Sequence, residues 1–81
     1  MIQTSEIVLA LVELLQPLNV NNKALSAATD IPAELSIDSV GILDFIMEVE
    51  DKYDIEIPMN AVANIRTIGE LADYVAKKLN K

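Results

Sequence analysis

The sequence predicts a small all-α protein, a bundle of three main helices plus one short helix, with a long loop between the first two helices. Three observations predict this class. Apolar residues recur every three or four positions in three segments, which is the period of an amphipathic helix. The 81 residues include no cysteine, so compact packing must stabilise the fold without disulfides. Hydrophobic residues make up 52% of the chain, enough for one core and a single domain over residues 1–81.

The first helix is predicted in the segment that ends at Pro17, where proline interrupts helical hydrogen bonding. Thr4 or Ser5 can cap its start, and Glu6 lies near its positive end. Apolar residues at helical spacing form its core face: Ile7, Leu11, Leu14 and Leu15, with Val8 and Val12 beside them. The apolar run contains glutamates and lacks a basic start, which is typical of a domain helix rather than a signal peptide.

Residues 18–37 show no sustained apolar period and contain many turn-forming residues. We expect a loop that crosses the bundle and inserts single apolar side chains into it. A structureless loop of about 20 residues is uncommon in a compact domain unless it serves a function. This loop leads directly to Asp38 and Ser39.

The second main helix is predicted from Asp38 or Ser39 to about Tyr53, and three rows of side chains run along it. One row is a core face: Ile42, Phe45, Ile46, Val49 and Tyr53. A second row is apolar: Val40, Leu43 and Met47. A third is acidic: Asp44, Glu48 and Asp51, with Glu50 nearby. A core needs only the first row, so the others are candidates for contact with a partner, although Leu43 could equally line the core or a cavity.

The remaining segments are an extended link, a short helix and a final long helix. "DIEIP" predicts the link, which Pro58 ends, and "MNAVAN" predicts the short helix. Thr67 followed three residues later by Glu70 is a capping box for the last helix. Its apolar stripe is Ile68, Leu71, Ala72, Val75 and Leu79.

Composition excludes several function classes. The net charge of -7, from 13 acidic and 6 basic residues, argues against binding to nucleic acid or to an anionic membrane. It favours a protein partner with a basic face. The chain has no histidine or cysteine, so it lacks the usual base for a serine nucleophile and the usual zinc ligands. We therefore expect a protein that is not an enzyme and binds no metal. The absence of cysteine fits a reducing compartment, and we expect a monomer in the cytoplasm.

Asp38 and Ser39 are two good helix caps in a row, although one cap is sufficient. Either residue could simply cap the helix. If Asp38 is the cap, Ser39 lies in the first turn, where the positive helix end tolerates an attached phosphate. A hydroxyl without a catalytic base then fits an attachment point that another enzyme modifies.

The stretch "ELSIDSVGILDFIMEVEDKYDIEIP" resembles the signature of acyl carrier proteins and related thiotemplate carrier domains. That signature combines an Asp/Glu-Leu-Gly-x-Asp-Ser-Leu motif, an acidic amphipathic helix and an x-Ile-x-Ile-Pro block. The matching blocks are Glu34 to Val40, Glu50 to Tyr53 and Ile55 to Pro58, followed by Arg66-Thr67-Ile68 and Asp73-Tyr74-Val75. The resemblance covers nearly the whole chain.

The resemblance implies that Ser39 carries 4'-phosphopantetheine, which a phosphopantetheinyl transferase attaches from coenzyme A, with Asp38 as part of the recognised motif. The thiol of this arm would hold acyl or aminoacyl groups as thioesters for fatty acid, polyketide or nonribosomal peptide enzymes. Acyl-loading, condensing or modifying enzymes with basic docking faces would be its partners. The implied docking residues are Val40, Asp44, Met47, Glu48, Glu50 and Asp51.

Three residues depart from the family signature. Ser36 replaces a glycine, Val40 replaces a leucine, and Gly41 stands where an acidic or polar residue is common. Gly41 costs about 1 kcal/mol relative to alanine in a helix. These departures favour a specialised carrier over a housekeeping one. An alternative is an unmodified acidic helical adaptor, because it would share almost every one of these residues.

Overall fold

The computed structural model describes residues 3–19, 22–35 and 37–80, with the side chain of Ser39 outside the described part. These residues form five α-helices, so the all-α class is confirmed: α1 Thr4–Leu15, α2 Ile31–Leu35, α3 Ser39–Tyr53, α4 Met59–Asn64 and α5 Ile68–Leu79. A turn of 3-10 helix, Gln16–Leu18, follows α1. The described segments contain no strand, and one isolated bridge pairs Asp30 with Thr67. None of their helices is long and apolar enough to cross a membrane.

The three main helices, α1, α3 and α5, enclose the core, and α1 packs most extensively against α5. Every helix except α4 contributes buried residues, as does the extended link through Ile57. The apolar core consists of Ile7, Leu11, Leu15, Ile31, Leu35, Phe45, Ile46, Val49, Ile57, Ile68, Leu71, Ala72, Val75 and Ala76. The sequence stripes therefore point inward, although Leu14, Ile42, Tyr53 and Leu79 are only half-buried.

The start of α1 differs from the expected cap. Gln3 occupies the cap position and no side chain caps the helix, whereas Thr4 is already helical. The expected end is confirmed, because α1 stops at Leu15 and Pro17 lies in the following 3-10 turn. Serine and threonine are also tolerated in the first turn, so their presence indicated a helix start without fixing its register.

Helix α2 was not expected, because five residues are too few to show a helical period. Pro32 does not interrupt this helix, because it lies at the second helical position, where a backbone N–H has no partner within the helix. Asp30 precedes the helix, and its Oδ1 accepts a hydrogen bond from the Ala33 N–H at 3.1 Å. In return, the Asp30 N–H donates to Glu34 Oε2 at 2.7 Å. This reciprocal pair is the local signal that reveals α2.

The loop before α2 is fixed to the start of α5 by backbone hydrogen bonds. The Gly69 N–H donates to the Ala27 carbonyl at 2.8 Å, and the Ile68 N–H donates to Thr29 at 3.1 Å. In the opposite direction, the Ile31 N–H donates to the Arg66 carbonyl at 2.8 Å. Residues 27–31 of the loop are therefore fixed against the start of α5 and hold α2 beside it.

The capping box of α5 is confirmed. Thr67 Oγ1 accepts from the Glu70 N–H at 3.1 Å, and Glu70 Oε1 accepts from the Thr67 N–H at 2.9 Å. Glu70 Oε1 also accepts from the Arg66 N–H at 3.0 Å. The backbone donors of Thr67 and then Arg66 lower the pKa of the Glu70 carboxyl, because they stabilise its charged form.

Candidate functional site

Helix α3 begins at Ser39, directly after Asp38, which is its cap residue. The Asp38 backbone is extended, and its Oδ1 accepts from the Gly41 N–H at 2.8 Å. Because Asp38 caps the helix, Ser39 occupies the first helical position. The first N–H groups of a helix lack partners within the helix and carry its positive end, which suits a phosphate.

Gly41 allows the chain before α3 to pack closely on the first turn of the helix. A Cβ at this position would lie 2.5 Å from Ile37 Cγ2 and 3.3 Å from Asp38 Oδ1. Any larger residue would therefore press on both the cap residue and the isoleucine before it. This contact gives a physical reason for a glycine that helix propensity alone disfavours.

The expected docking residues share the exposed face of α3. Val40 and Met47 are 65% and 63% exposed, values that few large apolar side chains reach in this fold. Asp44, Glu48 and Asp51 are also exposed. A shallow surface groove brings together five of the six expected residues, all except Val40, and also includes Ile55. Its lining consists of Asp44, Met47, Glu48, Glu50, Asp51 and Ile55.

Glu50 has a structural bond in addition to its place in this groove. Its Oε2 accepts from the Ile57 N–H at 2.8 Å, and the side chain is half-buried. Asp54 ends α3 in the left-handed conformation, with φ of 54°. The bond from Glu50 then holds the extended link against the helix, which places Ile55 in the groove. Sequence reasoning missed Ile55, because its spacing from Ile57 predicted that both side chains lie on one side of the link, whereas Ile57 is buried and Ile55 is only half-buried.

An apolar cleft of about 270 Å³ lies between α2, α3 and α4. Its lining consists of Ile31, Pro32, Ile42, Leu43, Phe45, Ile46, Met59, Val62, Ala63, Ile65, Arg66 and Leu71. Leu43 is therefore a lining residue of this cleft, one of the two roles that the sequence left open. The outer wall is α4, a six-residue helix that buries none of its side chains.

Comparison with known proteins agrees with this geometry. The family model described as "Phosphopantetheine attachment site" matches residues 9–75. The mitochondrial acyl carrier protein of Saccharomyces cerevisiae is 34% identical over 58 residues, which are 72% of this chain and 46% of the yeast protein. This match therefore spans less than half of the yeast relative. The acyl carrier protein of Syntrophobacter fumaroxidans is 30% identical over 60 residues, 74% of each chain.

A solved structure gives the same result at the level of the fold. A Mycobacterium tuberculosis protein that is described as an acyl carrier protein superposes with a TM-score of 0.78 at 26% sequence identity. The superposition covers 89% of this chain and 97% of that chain. The fold and the matched motif together define a carrier whose cofactor is covalently bound 4'-phosphopantetheine. This chain belongs to the acyl carrier protein family, whose members carry acyl groups rather than convert them.

The start of α3 fits this cofactor. The phosphate of a serine-linked group would lie at the positive end of a 15-residue helix, where its charge is stabilised. Asp38 contributes a negative charge nearby, but its carboxylate is engaged by the Gly41 N–H. The residues at this site are thus compatible with a phosphate ester on the first helical residue.

Proposed function

We propose that Ser39 is the attachment residue, and that the chain carries acyl or aminoacyl groups as thioesters and presents them to biosynthetic enzymes. The observation that carries the proposal is the position of Ser39. It is the first residue of α3, it directly follows the capping Asp38, and it lies within the region that the family model matches. The thiol at the end of the cofactor forms the thioester with the cargo.

The attachment step requires chemistry that only a separate phosphopantetheinyl transferase supplies. The Ser39 hydroxyl oxygen forms the new bond to the phosphorus that bears the pantetheine arm of coenzyme A. The bond from that phosphorus to the adenosine bisphosphate part breaks, and the hydroxyl proton passes to a base of the transferase. This chain supplies the hydroxyl and a helix end that stabilises the charged product. Under this proposal it is a substrate of the transferase and is not itself an enzyme.

Partner enzymes dock on the exposed face of α3 in this proposal. Met47 and Val40 would provide apolar contact area, while Asp44, Glu48 and Asp51 would attract a basic surface. Acyl-loading, condensing and modifying enzymes each need access to the same arm. A single shared docking face close to Ser39 would let each of these enzymes reach the arm in turn.

The apolar cleft is the proposed shelter for the cargo. Its volume of about 270 Å³ and its apolar lining suit a short acyl chain. Each methylene group that moves from water into such a site gains about 0.8 kcal/mol. Helix α4 could adjust to admit the chain, because none of its side chains is fully buried and only Ala61 and Val62 pack partly against the core.

We further propose a cytoplasmic location. The free thiol at the end of the cofactor arm persists in a reducing compartment. Cell fractionation with an antibody against the chain would check this, and recovery with an organelle fraction would contradict it. The yeast relative is described as mitochondrial, so the mitochondrial fraction is the informative comparison.

The mass of the intact protein tests the attachment proposal. Incubation with coenzyme A and a broad-specificity transferase should add the mass of one phosphopantetheine, and Ser39→Ala should abolish the gain. Ser5→Ala, at an exposed position in the first turn of α1, is the matched control and should be modified like the parent. No gain by the parent, while a reference carrier is modified in the same reaction, would favour the unmodified adaptor.

A further inference from the structure

The apolar cleft has a cationic group at its edge. Among the described residues that line the cleft, Arg66 alone carries a charge. Its guanidinium is held by Asp30, the residue before α2, through Nη2 at 3.0 Å and Nε at 3.1 Å from Oδ2. The Arg66 side chain is 63% exposed and the Asp30 side chain 28%, so the pair lies at the cleft mouth rather than inside the core.

This ion pair leaves hydrogen-bonding capacity on the arginine. A guanidinium has five N–H donors, and the two bonds to Asp30 use two of them, so three remain. No other side-chain partner of the guanidinium occurs in the described part of the chain. Asp30 Oδ1 accepts from the Ala33 N–H at 3.1 Å, which keeps the carboxylate oriented while Oδ2 holds the arginine. The free donors are consequently presented in a fixed position beside an apolar surface.

We propose that Arg66 selects an acyl cargo that carries a carboxylate at its far end, with the methylene groups in the cleft and the carboxylate on the free guanidinium donors. This inference rests on the proposed function, because it requires cargo on the Ser39 arm. Arginine binds carboxylates through charge-assisted, directional hydrogen bonds. A chain that ends in a methyl group would use the apolar lining but would gain nothing from Arg66.

Because the whole chain is acidic, the binding of an anionic cargo depends on this local cation. The net charge of -7 would repel an anionic cargo from most of the surface. Two acidic residues lie beside the arginine: Asp30 binds its side chain, and Glu70 accepts from its backbone N–H. A cargo carboxylate would therefore share the guanidinium with Asp30. Without Arg66, it would face these two negative charges alone.

Two cargoes of equal length provide the test. Apo protein is loaded by a transferase that accepts acyl-coenzyme A donors, with either a hexanoyl or an adipoyl group, which differ only in a methyl or a carboxylate end. Cleavage of the thioester by hydroxylamine then reports how well the cargo is held. An exposed charge pair shifts the equilibrium between the held and the released cargo about two- to fivefold. We expect Arg66→Gln to accelerate cleavage of the adipoyl form by about that factor and to leave the hexanoyl form unchanged.

Two further variants separate selection from a structural role. Arg66→Lys should restore part of the protection of the adipoyl form. Asp30→Asn removes the competing carboxylate, so it should preserve or strengthen that protection. The proposal would be overturned if Arg66→Gln accelerated cleavage of both loaded forms alike, or if Arg66→Gln and Asp30→Asn had equal effects on the cleavage rate. Either result would show that the ion pair only stabilises the fold. Successful loading without any adipoyl preference would overturn this inference alone. Failure of the parent to load at Ser39 would overturn the proposed function and this inference with it.

Discussion

Gly69 and Ala27 approach each other so closely that no larger residue fits at position 69. The Gly69 N–H donates to the Ala27 carbonyl oxygen at 2.8 Å, and a Cβ on Gly69 would lie 2.9 Å from the same oxygen and 3.2 Å from the Ala27 Cβ. The contact joins the loop before α2 to the first turn of α5. The loop thereby positions α2, which forms one wall of the cleft.

Gly69→Ala tests whether this close approach outweighs helix propensity. Propensity alone predicts a gain of about 1 kcal/mol from alanine in a helix. The atom in contact is a backbone oxygen that cannot rotate away, so we expect a net loss of about 1–2 kcal/mol in the free energy of unfolding. Urea denaturation measures it. Asp73→Ala, at an exposed position of α5, is the control and should change the free energy by less than about 0.5 kcal/mol. A stabilised Gly69→Ala protein would contradict the prediction.

Gly41→Ala tests the same principle at the start of α3, where the contact is a side chain. The added Cβ would meet Ile37 Cγ2 at 2.5 Å, so we expect the variant to lose about 1 kcal/mol or more of stability. Ile37→Ala removes the clashing atom. In that background Gly41→Ala should become neutral or stabilising, because the propensity gain of about 1 kcal/mol is then opposed only by the milder contact of 3.3 Å with Asp38 Oδ1. A double-mutant cycle by urea denaturation that gives additive effects would show that the two residues do not interact.

Asn19→Ala tests how the first part of the long loop is held. Asn19 is 6% exposed, its Nδ2 donates to the Lys23 carbonyl at 2.8 Å, and its Oδ1 accepts from the Lys23 N–H at 3.0 Å. Its removal leaves both backbone groups without this partner, so we expect a loss of about 1–3 kcal/mol. Thermal unfolding measures the effect. Asn60→Ala, at an exposed position of α4, should change stability by less than about 0.5 kcal/mol.

Stability should fall in acid, and Glu70 should contribute to that fall. Backbone donors of Thr67 and Arg66 lower the pKa of Glu70 below its ordinary value of 4.5. A carboxyl whose pKa is lowered by folding stabilises the protein above that ordinary value, and the contribution disappears as pH falls through the lowered pKa. We expect the midpoint temperature to decrease below about pH 4.5, less steeply in Glu70→Gln. Glu56→Gln in the exposed link is the control, and equal slopes in both variants would refute the assignment.

The sequence predicted the long elements and missed features that depend on distant contacts. Helices α3 and α5 were predicted because each has a long apolar stripe and a capping residue at its start, with Thr67 as the cap of α5 and Asp38 as one of two candidate caps of α3. Helix α2 is too short for such a stripe, and its signal lies in the hydrogen bonds that Asp30 makes with Ala33 and Glu34. The surface groove on α3 is lined largely by residues that the sequence placed side by side on one helix, while their role in docking stays a prediction. The cleft was not predicted, because its walls come from several elements whose mutual packing no single helical pattern reveals.

Met47→Ala tests whether the exposed face of α3 is a docking surface. Met47 is 63% exposed and makes little contribution to the core, so the substitution should leave stability unchanged within about 0.5 kcal/mol. If the transferase buries Met47, however, the substitution removes contacts that contribute binding energy. We then expect kcat/KM of the transferase to fall several-fold. Leu9→Ala is a close match, since Leu9 is 67% exposed but lies on α1. Steady-state transfer from coenzyme A measures both variants. Equal effects of the two variants would show that general apolar exposure, rather than the face beside Ser39, determines recognition.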